Sequence, residues 1–175
     1  MIFTETPLAG AYLLDLEPHT DDRGFFARTY CRREFEAHGL NADVMQCNSS
    51  YNSRKGTIRG MHYQTPPAGE AKLVRCVRGA ILDVIVDLRG DSSTYGKHFA
   101  VELSSENRRA LFVPEFFAHG FQTLVDETEV HYQMSAFYNP REGAGFPYDD
   151  PAVGIVWPLP VGAISEQDRN WPAFS

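Results

Sequence analysis

The chain has 175 residues, 43 % hydrophobic and 13 % aromatic, enough apolar material for one compact domain over residues 1–175 that buries roughly two thirds of its unfolded surface, so a disordered chain is excluded. Sixteen Lys and Arg against 23 Asp and Glu leave a net charge of -7, which argues against nonspecific nucleic-acid or anionic-membrane binding. The start lacks a basic leader and no stretch is apolar for the eighteen residues that a spanning helix needs, so a cytoplasmic protein is expected.

Along the chain, "AYLLDLE" and "GFFARTY" are the first β-branched and aromatic runs that read as strands. They are followed at residues 31–40, "CRREFEAHGL", by the best helical pattern, with Phe35 and Leu40 on one side and Gly39 near the end. The next run, "VMQCNSSYN" (44–52), alternates Met45, Cys47, Ser49 and Tyr51 with Gln46, Asn48, Ser50 and Asn52. Successive strand side chains point to opposite faces, so one whole face is polar and uncharged. Such a face is ordinary outside a barrel; inside one, it would line a wet cavity suited to a hydroxyl-rich ligand.

The run "TIRGMHYQ" (57–64) places Arg59 on the parity of Met61 and Tyr63, and His62 on that of Ile58, Gly60 and Gln64. A regular strand sends the two basic groups to opposite faces, and only a bulge or kink at Gly60 reunites them. "KLVRCV" sets Lys72 and Val74 against Leu73 and Arg75. Lys72 reads either as an edge residue that snorkels to water or as an enclosed ammonium able to neutralise an oxyanion. "AILDVIVDL", "KHFAVELS", "RALFVP" and "HGFQTLV" continue the series of strands. In "EVHYQMSAFY", Tyr132 takes the inward parity of Val130 and Met134. Short strands without intervening helices imply an antiparallel sandwich or barrel. The Pro-rich tail at 147–160, with Trp157, reads as ordered but irregular.

Residues 54–78 hold six bases (Arg54, Lys55, Arg59, Lys72, Arg75, Arg78) against Glu70 alone, while the remainder holds 10 bases and 22 acids. A basic segment in an acidic protein suits a small anion such as a phosphate ester, or is a solvated strand edge. Cys31, Cys47 and Cys76 are too few and too scattered for a disulfide framework or a zinc site, and read as core thiols. His62 and His119 lack an H-x-H partner and make a weak metal signature. His62 alone reads as a structural histidine or, if a carboxylate orients it, as a base. No G-x-S-x-G elbow or glycine-rich phosphate loop is present.

Taken in order, "DDRGFFARTY", "QCNSSYNSRKGTIRGMHYQTPPAGEAKLVRCVRGAILDVIVDLRGDSSTYGKH", "FFAHGFQTL", "EVHYQMSAFYNPREGAGFPYDDPAVGIVWP" and "ISEQD" resemble the dTDP-4-dehydrorhamnose 3,5-epimerase family from about residue 2 to 172. The resemblance implies an all-β jelly roll (cupin, double-stranded β-helix) with one or two short helices. It also implies a homodimer that inverts C3 and C5 of a dTDP-4-keto-6-deoxyhexose without metal or other cofactor. Carried over by similarity, His62 is the base, oriented by Asp168; Tyr132 is the acid on the far side of the sugar; Lys72 stabilises the enolate oxygen at C4. Arg59 and His119 would line the sugar and phosphate region. Gln46, Asn48, Ser50 and Tyr138 would contact substrate, and Asp83 would support the site from behind. Arg23 and Phe26 resemble residues that cross into the neighbouring subunit to hold its nucleotide. The chain departs from the family pattern at Arg28, where the pattern has glutamate, and at Phe116, where it has glycine. Alternatives are a mono-epimerase at C3 or C5, an enzyme for another nucleotide, a non-catalytic sugar-nucleotide-binding jelly roll, or a metal-dependent cupin.

Overall fold

The computed structural model describes residues 1–174. In chain order the elements are β1 (Ile2–Glu5), β2 (Tyr12–Asp15), β3 (His19–Asp21), β4 (Gly24–Phe26), α1 (Arg32–Ala37), β5 (Gln46–Asn52), β6 (Ile58–Gln64), β7 (Lys72–Arg78) and β8 (Ala80–Asp87). They continue with β9 (His98–Ser104), β10 (Ala110–Val113), β11 (Phe117–Thr123), β12 (Thr128–Met134), β13 (Gly143–Gly145) and α2 (Glu166–Arg169).

Two antiparallel sheets carry the fold, one ordered β1-β2-β10-β7-β12-β5 and the other β13-β6-β11-β8-β9, with β3 and β4 forming a separate hairpin. Consecutive strands repeatedly change sheet, as in a jelly roll, so the all-β cupin-type architecture is confirmed. The alternating strands sort their side chains into three apolar layers. Val74, Cys76, Ile81, Ile85, Leu103, Phe121 and Val130 fill the space between the sheets. Leu14, Leu73 and Phe112 lie on the outer face of the six-stranded sheet, capped by Phe35 of α1. Met61, Val84, Val86 and Ala118 lie on the outer face of the five-stranded sheet, under Phe146, Val153 and Trp157 of the tail. That tail is irregular, as its prolines dictate, but held in place: Ile58 N–H donates to Ala163 O and Gly162 N–H to Gly56 O.

Two sequence expectations are corrected. The basic segment is not one wall, because β7 alternates. Lys72 shares the inward side of Val74, whereas Arg75 lies on the outer side with Leu73 and donates to the carbonyls of Arg108 and Thr29. Burial there lowers the Arg75 pKa. Arg78 pairs with Glu127 on the surface. Of the three thiols only Cys76 is buried, Cys47 being exposed on the outward side of β5. The short strands β1, β3 and β13 and the four-residue α2 have too few residues to show a period in sequence.

Candidate active site

The parity conflict in β6 is resolved in the backbone. Opposite β11, His119 pairs with His62 and Phe121 with Arg59, so three steps on β6 match two on β11. The extra residue is a bulge at Gly60, whose φ of +130° is a conformation that favours glycine. Side chains directly opposite each other share a face, and Phe121 belongs to the layer between the sheets. Arg59 and His62 therefore both point inward. A Cβ on Gly60 would lie 2.5 Å from Gly120 Cα, so the bulge leaves no room for a side chain there.

His62 reaches past the strand to the C-terminal helix. Its Nε2 lies 2.6 Å from Asp168 Oδ1, and Asp168 is almost fully buried. Ser165 caps α2 by accepting from Asp168 N–H and so fixes the carboxylate's direction. Burial disfavours the Asp168 charge. Hydrogen bonds from His62, the Gly60 N–H and the Trp171 indole outweigh it and hold the pKa below the ordinary value. An ionised carboxylate only accepts, so Nε2 carries the ring proton and Nδ1 keeps the lone pair. Beside this pair is a second one: His119 Nε2 lies 2.7 Å from Asp83 Oδ1, both residues buried.

The facing sheet supplies the remaining groups in cross-strand rows. One row is Gln46, Met134 and Lys72; the next is Asn48, Tyr132 and Val74; a third is Ser50, Val130 and Cys76. The polar face of β5 thus turns inward, with Asn52 accepting from Arg59 Nε at 2.7 Å. Lys72, with its side chain only 11 % exposed, lies 3.4 Å from Glu70 Oε1. Gln64 Nε2 donates to the other oxygen of Glu70. The Tyr132 ring meets His119 edge-on at 6.0 Å between centroids, which links the two sheets. Burial, and then the charge of Asp83, push the Tyr132 phenol's pKa well above its ordinary range, while Arg59 and a hydrogen bond with Ser50 act in the opposite direction. The phenol is neutral and holds a proton to give.

His62, Gln64, Glu70, Lys72, Met134, Tyr138 and Trp171 line a cleft of about 270 Å³, large enough for a sugar ring. Tyr138 lies on an exposed loop whose backbone is tied to the cleft: its N–H donates to Gln46 Oε1, and the Asn139 N–H to Gln64 Oε1. Arg23 and Phe26 lie on the β3–β4 hairpin and do not line this cleft. Both are highly exposed, Arg23 pairing with its own Asp21. Arg28 pairs with Glu34 at 2.7 Å. The N-terminal ammonium and then Arg28 lower the Glu34 pKa to about 2.

Residues missed in the sequence are Glu70, Gln64 and Trp171. Glu70 had a readable signal, an opposite charge two positions before Lys72; Trp171 had none, because its place depends on where α2 docks. Among the described residues, no group of three His, Cys, Asp or Glu side chains is placed to hold a metal ion. No helix among them is long and apolar enough to cross a membrane.

The arrangement puts a carboxylate-paired imidazole on one sheet and a neutral phenol and an ammonium on the sheet facing it. Residues 5–175 match the family model described as dTDP-4-dehydrorhamnose 3,5-epimerase. A dTDP-4-dehydrorhamnose 3,5-epimerase of Methanothermobacter thermautotrophicus is 46 % identical over 97 % of this chain and 92 % of its own length. The crystal structure of the Bacillus anthracis dTDP-4-dehydrorhamnose 3,5-epimerase with TDP and PPi bound superposes with a TM-score of 0.95. It is 40 % identical over 99 % of both chains. A 3'-monoepimerase of Streptomyces bikiniensis, in complex with dTDP-quinovose, gives 0.88 at 33 % identity, covering 96 % of this chain and 85 % of its own.

Proposed function

The chain belongs to the dTDP-4-dehydrorhamnose 3,5-epimerase family, and on that premise we propose that it inverts C3 and C5 of a dTDP-4-keto-6-deoxyhexose by proton transfer through an enolate, without metal or cofactor. It is an isomerase, and its substrate is a nucleotide sugar. The C4 ketone acidifies the C–H bonds on both sides of it, and loss of either proton puts charge on the same C4 oxygen. His62 Nδ1 takes the proton and becomes an imidazolium paired with Asp168. The Lys72 ammonium meets the enolate oxygen, with Glu70 behind it as counter-ion. Tyr132 delivers a proton to the opposite face of the carbon. Its phenolate, eased by the Arg59 charge, then recovers a proton from solvent as His62 releases its own, which readies the pair for the second carbon.

What carries this reading is the placement of base and acid on opposing sheets, since inversion needs one proton to leave and another to arrive from opposite sides of the ring. Arg59 and His119 serve the sugar and phosphates, and Gln46, Asn48 and Ser50 the hydroxyls and diphosphate. Tyr138 closes over the substrate, and Asp83 fixes the His119 ring. The domain spans residues 1–175 and works in the cytoplasm as a homodimer. Arg23 and Phe26 reach the partner's nucleotide; the 77 % exposure of Phe26 is what a crossing aromatic leaves on one subunit alone.

A second reading, inversion at one carbon only, is favoured by the similarity to the Streptomyces 3'-monoepimerase. Incubation with the dTDP-4-keto-6-deoxyglucose substrate in deuterated water decides the matter. Deuterium at both C3 and C5 of the inverted product is expected, label at one carbon selects the mono-epimerase, and no label at either defeats both.

A further inference from the structure

The Trp171 indole, three residues beyond Asp168, donates Nε1–H to Asp168 Oδ1 at 3.4 Å, the same oxygen that His62 uses at 2.6 Å. Its ring meets the His62 ring edge-on, 6.2 Å between centroids, and lines the cleft. The indole's place is built rather than incidental. A Cβ at Gly145 would lie 2.6 Å from Trp171 Cε2 and 2.7 Å from Nε1, so only a glycine on β13 leaves room for it. Phe174, three residues on, is tied down by its N–H to Asp150 Oδ2 at 2.8 Å and packs on Phe146. The segment carrying Trp171 is thus held between the capped α2 and an anchored end.

We propose that Trp171 is a positioning residue for proton abstraction, sharing the Asp168 oxygen with His62 and so limiting how tightly that carboxylate holds the imidazolium. The inference rests on His62 serving as the base. A carboxylate oxygen that accepts two donors gives less electron density to each. With the indole present, Asp168 still fixes the tautomer that leaves Nδ1 free, but it holds the protonated ring less firmly. His62 therefore returns to its neutral, proton-accepting form more readily between turnovers. If the indole N–H is removed, Asp168 becomes more basic, the imidazolium is held more strongly, and His62 stays protonated to higher pH.

Among the described residues, the other charged and titratable groups around His62 are His119 directly opposite on β11, Tyr63, Glu70, Lys72 and Tyr138 along the cleft, and Arg59 and Tyr132 on the inward faces. None of them donates to Asp168.

The test uses full-length protein with Trp171→Phe, which keeps a ring over Gly145, and with a benzothienylalanine at 171, which keeps the indole shape and lacks only the N–H. The His62 ring is titrated by NMR, and the acid limb of the kcat/KM–pH profile is recorded alongside. Both variants are expected to raise the His62 midpoint by about half a pH unit, roughly threefold in proton affinity, and to shift the acid limb upward equally. An unmoved or lowered midpoint in the benzothienyl protein overturns the proposal. A raised NMR midpoint with an unmoved acid limb instead upholds Trp171's effect on the ring and shows that His62 is not the base.

Discussion

Arg59 and His62, three positions apart in β6, project from the same side of that strand because the bulge at Gly60 gives β6 one residue more than β11 uses to span the same distance. The bulge depends on a backbone that a side chain disfavours, and the Gly60 N–H also reaches Asp168 Oδ2 at 3.4 Å. Gly60→Ala therefore strains φ and drives a methyl into Gly120. It is expected to cost about 2–4 kcal/mol in urea unfolding and to lower kcat beyond what the loss of folded protein explains. Retained stability with normal kcat would mean that the register of His62 does not need the glycine.

The proposed division of labour, His62 on one sheet as base and Tyr132 and Lys72 on the other as acid and enolate partner, predicts distinct failures. Tyr132→Phe removes the acid and leaves His62, Asp168 and Lys72 in place, so the proton can still leave and return on one face. Solvent deuterium is expected to enter the recovered substrate, while inversion falls by about 10²–10⁴-fold. Lys72→Met removes the charge facing the enolate oxygen and should suppress exchange and inversion together. NMR of the sugar protons in deuterated water reads both rates at once. Loss of exchange in Tyr132→Phe as severe as in Lys72→Met would remove the phenol from the acid role.

How much of this was legible in sequence follows from the range of the interactions. Local patterns went part of the way: helical spacing located α1 by Phe35, strand parity put Tyr132 with the inward residues, and parity gathered Gln46, Asn48 and Ser50 on one face without deciding whether that face turns inward. The bulge was legible only as a contradiction, two basic residues of opposite parity that one chemistry needed together. Asp168 meets His62 across 106 positions, and no pattern within either segment encodes that contact; family resemblance alone connected them. Arg75 misled because a charge count ignores alternation, and half of a basic strand faces the wrong way.

Phe116 occupies a left-handed conformation, φ +61°, at the position where the family pattern has glycine. It lines a pocket together with Leu88 and Arg89, its ring tip lies 3.0 Å from where a Cβ on Gly69 would be, and its carbonyl accepts from Leu88 N–H. Truncation to alanine loses the ring contacts and keeps the backbone strain, whereas truncation to glycine loses the same contacts and relieves it. Phe116→Gly is therefore expected to be more stable than Phe116→Ala by about 1 kcal/mol, the reverse of the order at an ordinary strand position. Paired thermal unfolding measures the difference, and equal or inverted stabilities would show that the backbone readjusts without strain.

Asp87 ends β8 with no exposed surface and gathers the turn that follows. It accepts from Arg89 Nε and Nη2 and from the hydroxyls of Ser92 and Thr94, the last two at 2.6 Å, and Arg89 then stacks over Phe117. Burial opposes the Asp87 charge, but the donors from Arg89, Ser92 and Thr94 outweigh it and depress the pKa far below the ordinary carboxylate range. A carboxyl that is more acidic folded than unfolded stabilises the fold fully above its unfolded pKa of about 4. It gives that stability up as pH falls toward the folded value. Glu34 and Asp168 are depressed in the same direction, so the three together should make urea stability fall as pH drops from about 5 toward 2. Asp87→Asn keeps the shape and loses the charge that five donors, the Arg89 backbone N–H among them, converge on. It is expected to cost about 3 kcal/mol at pH 7 and to flatten the acid slope. An unchanged slope in that variant would assign the acid sensitivity to other groups.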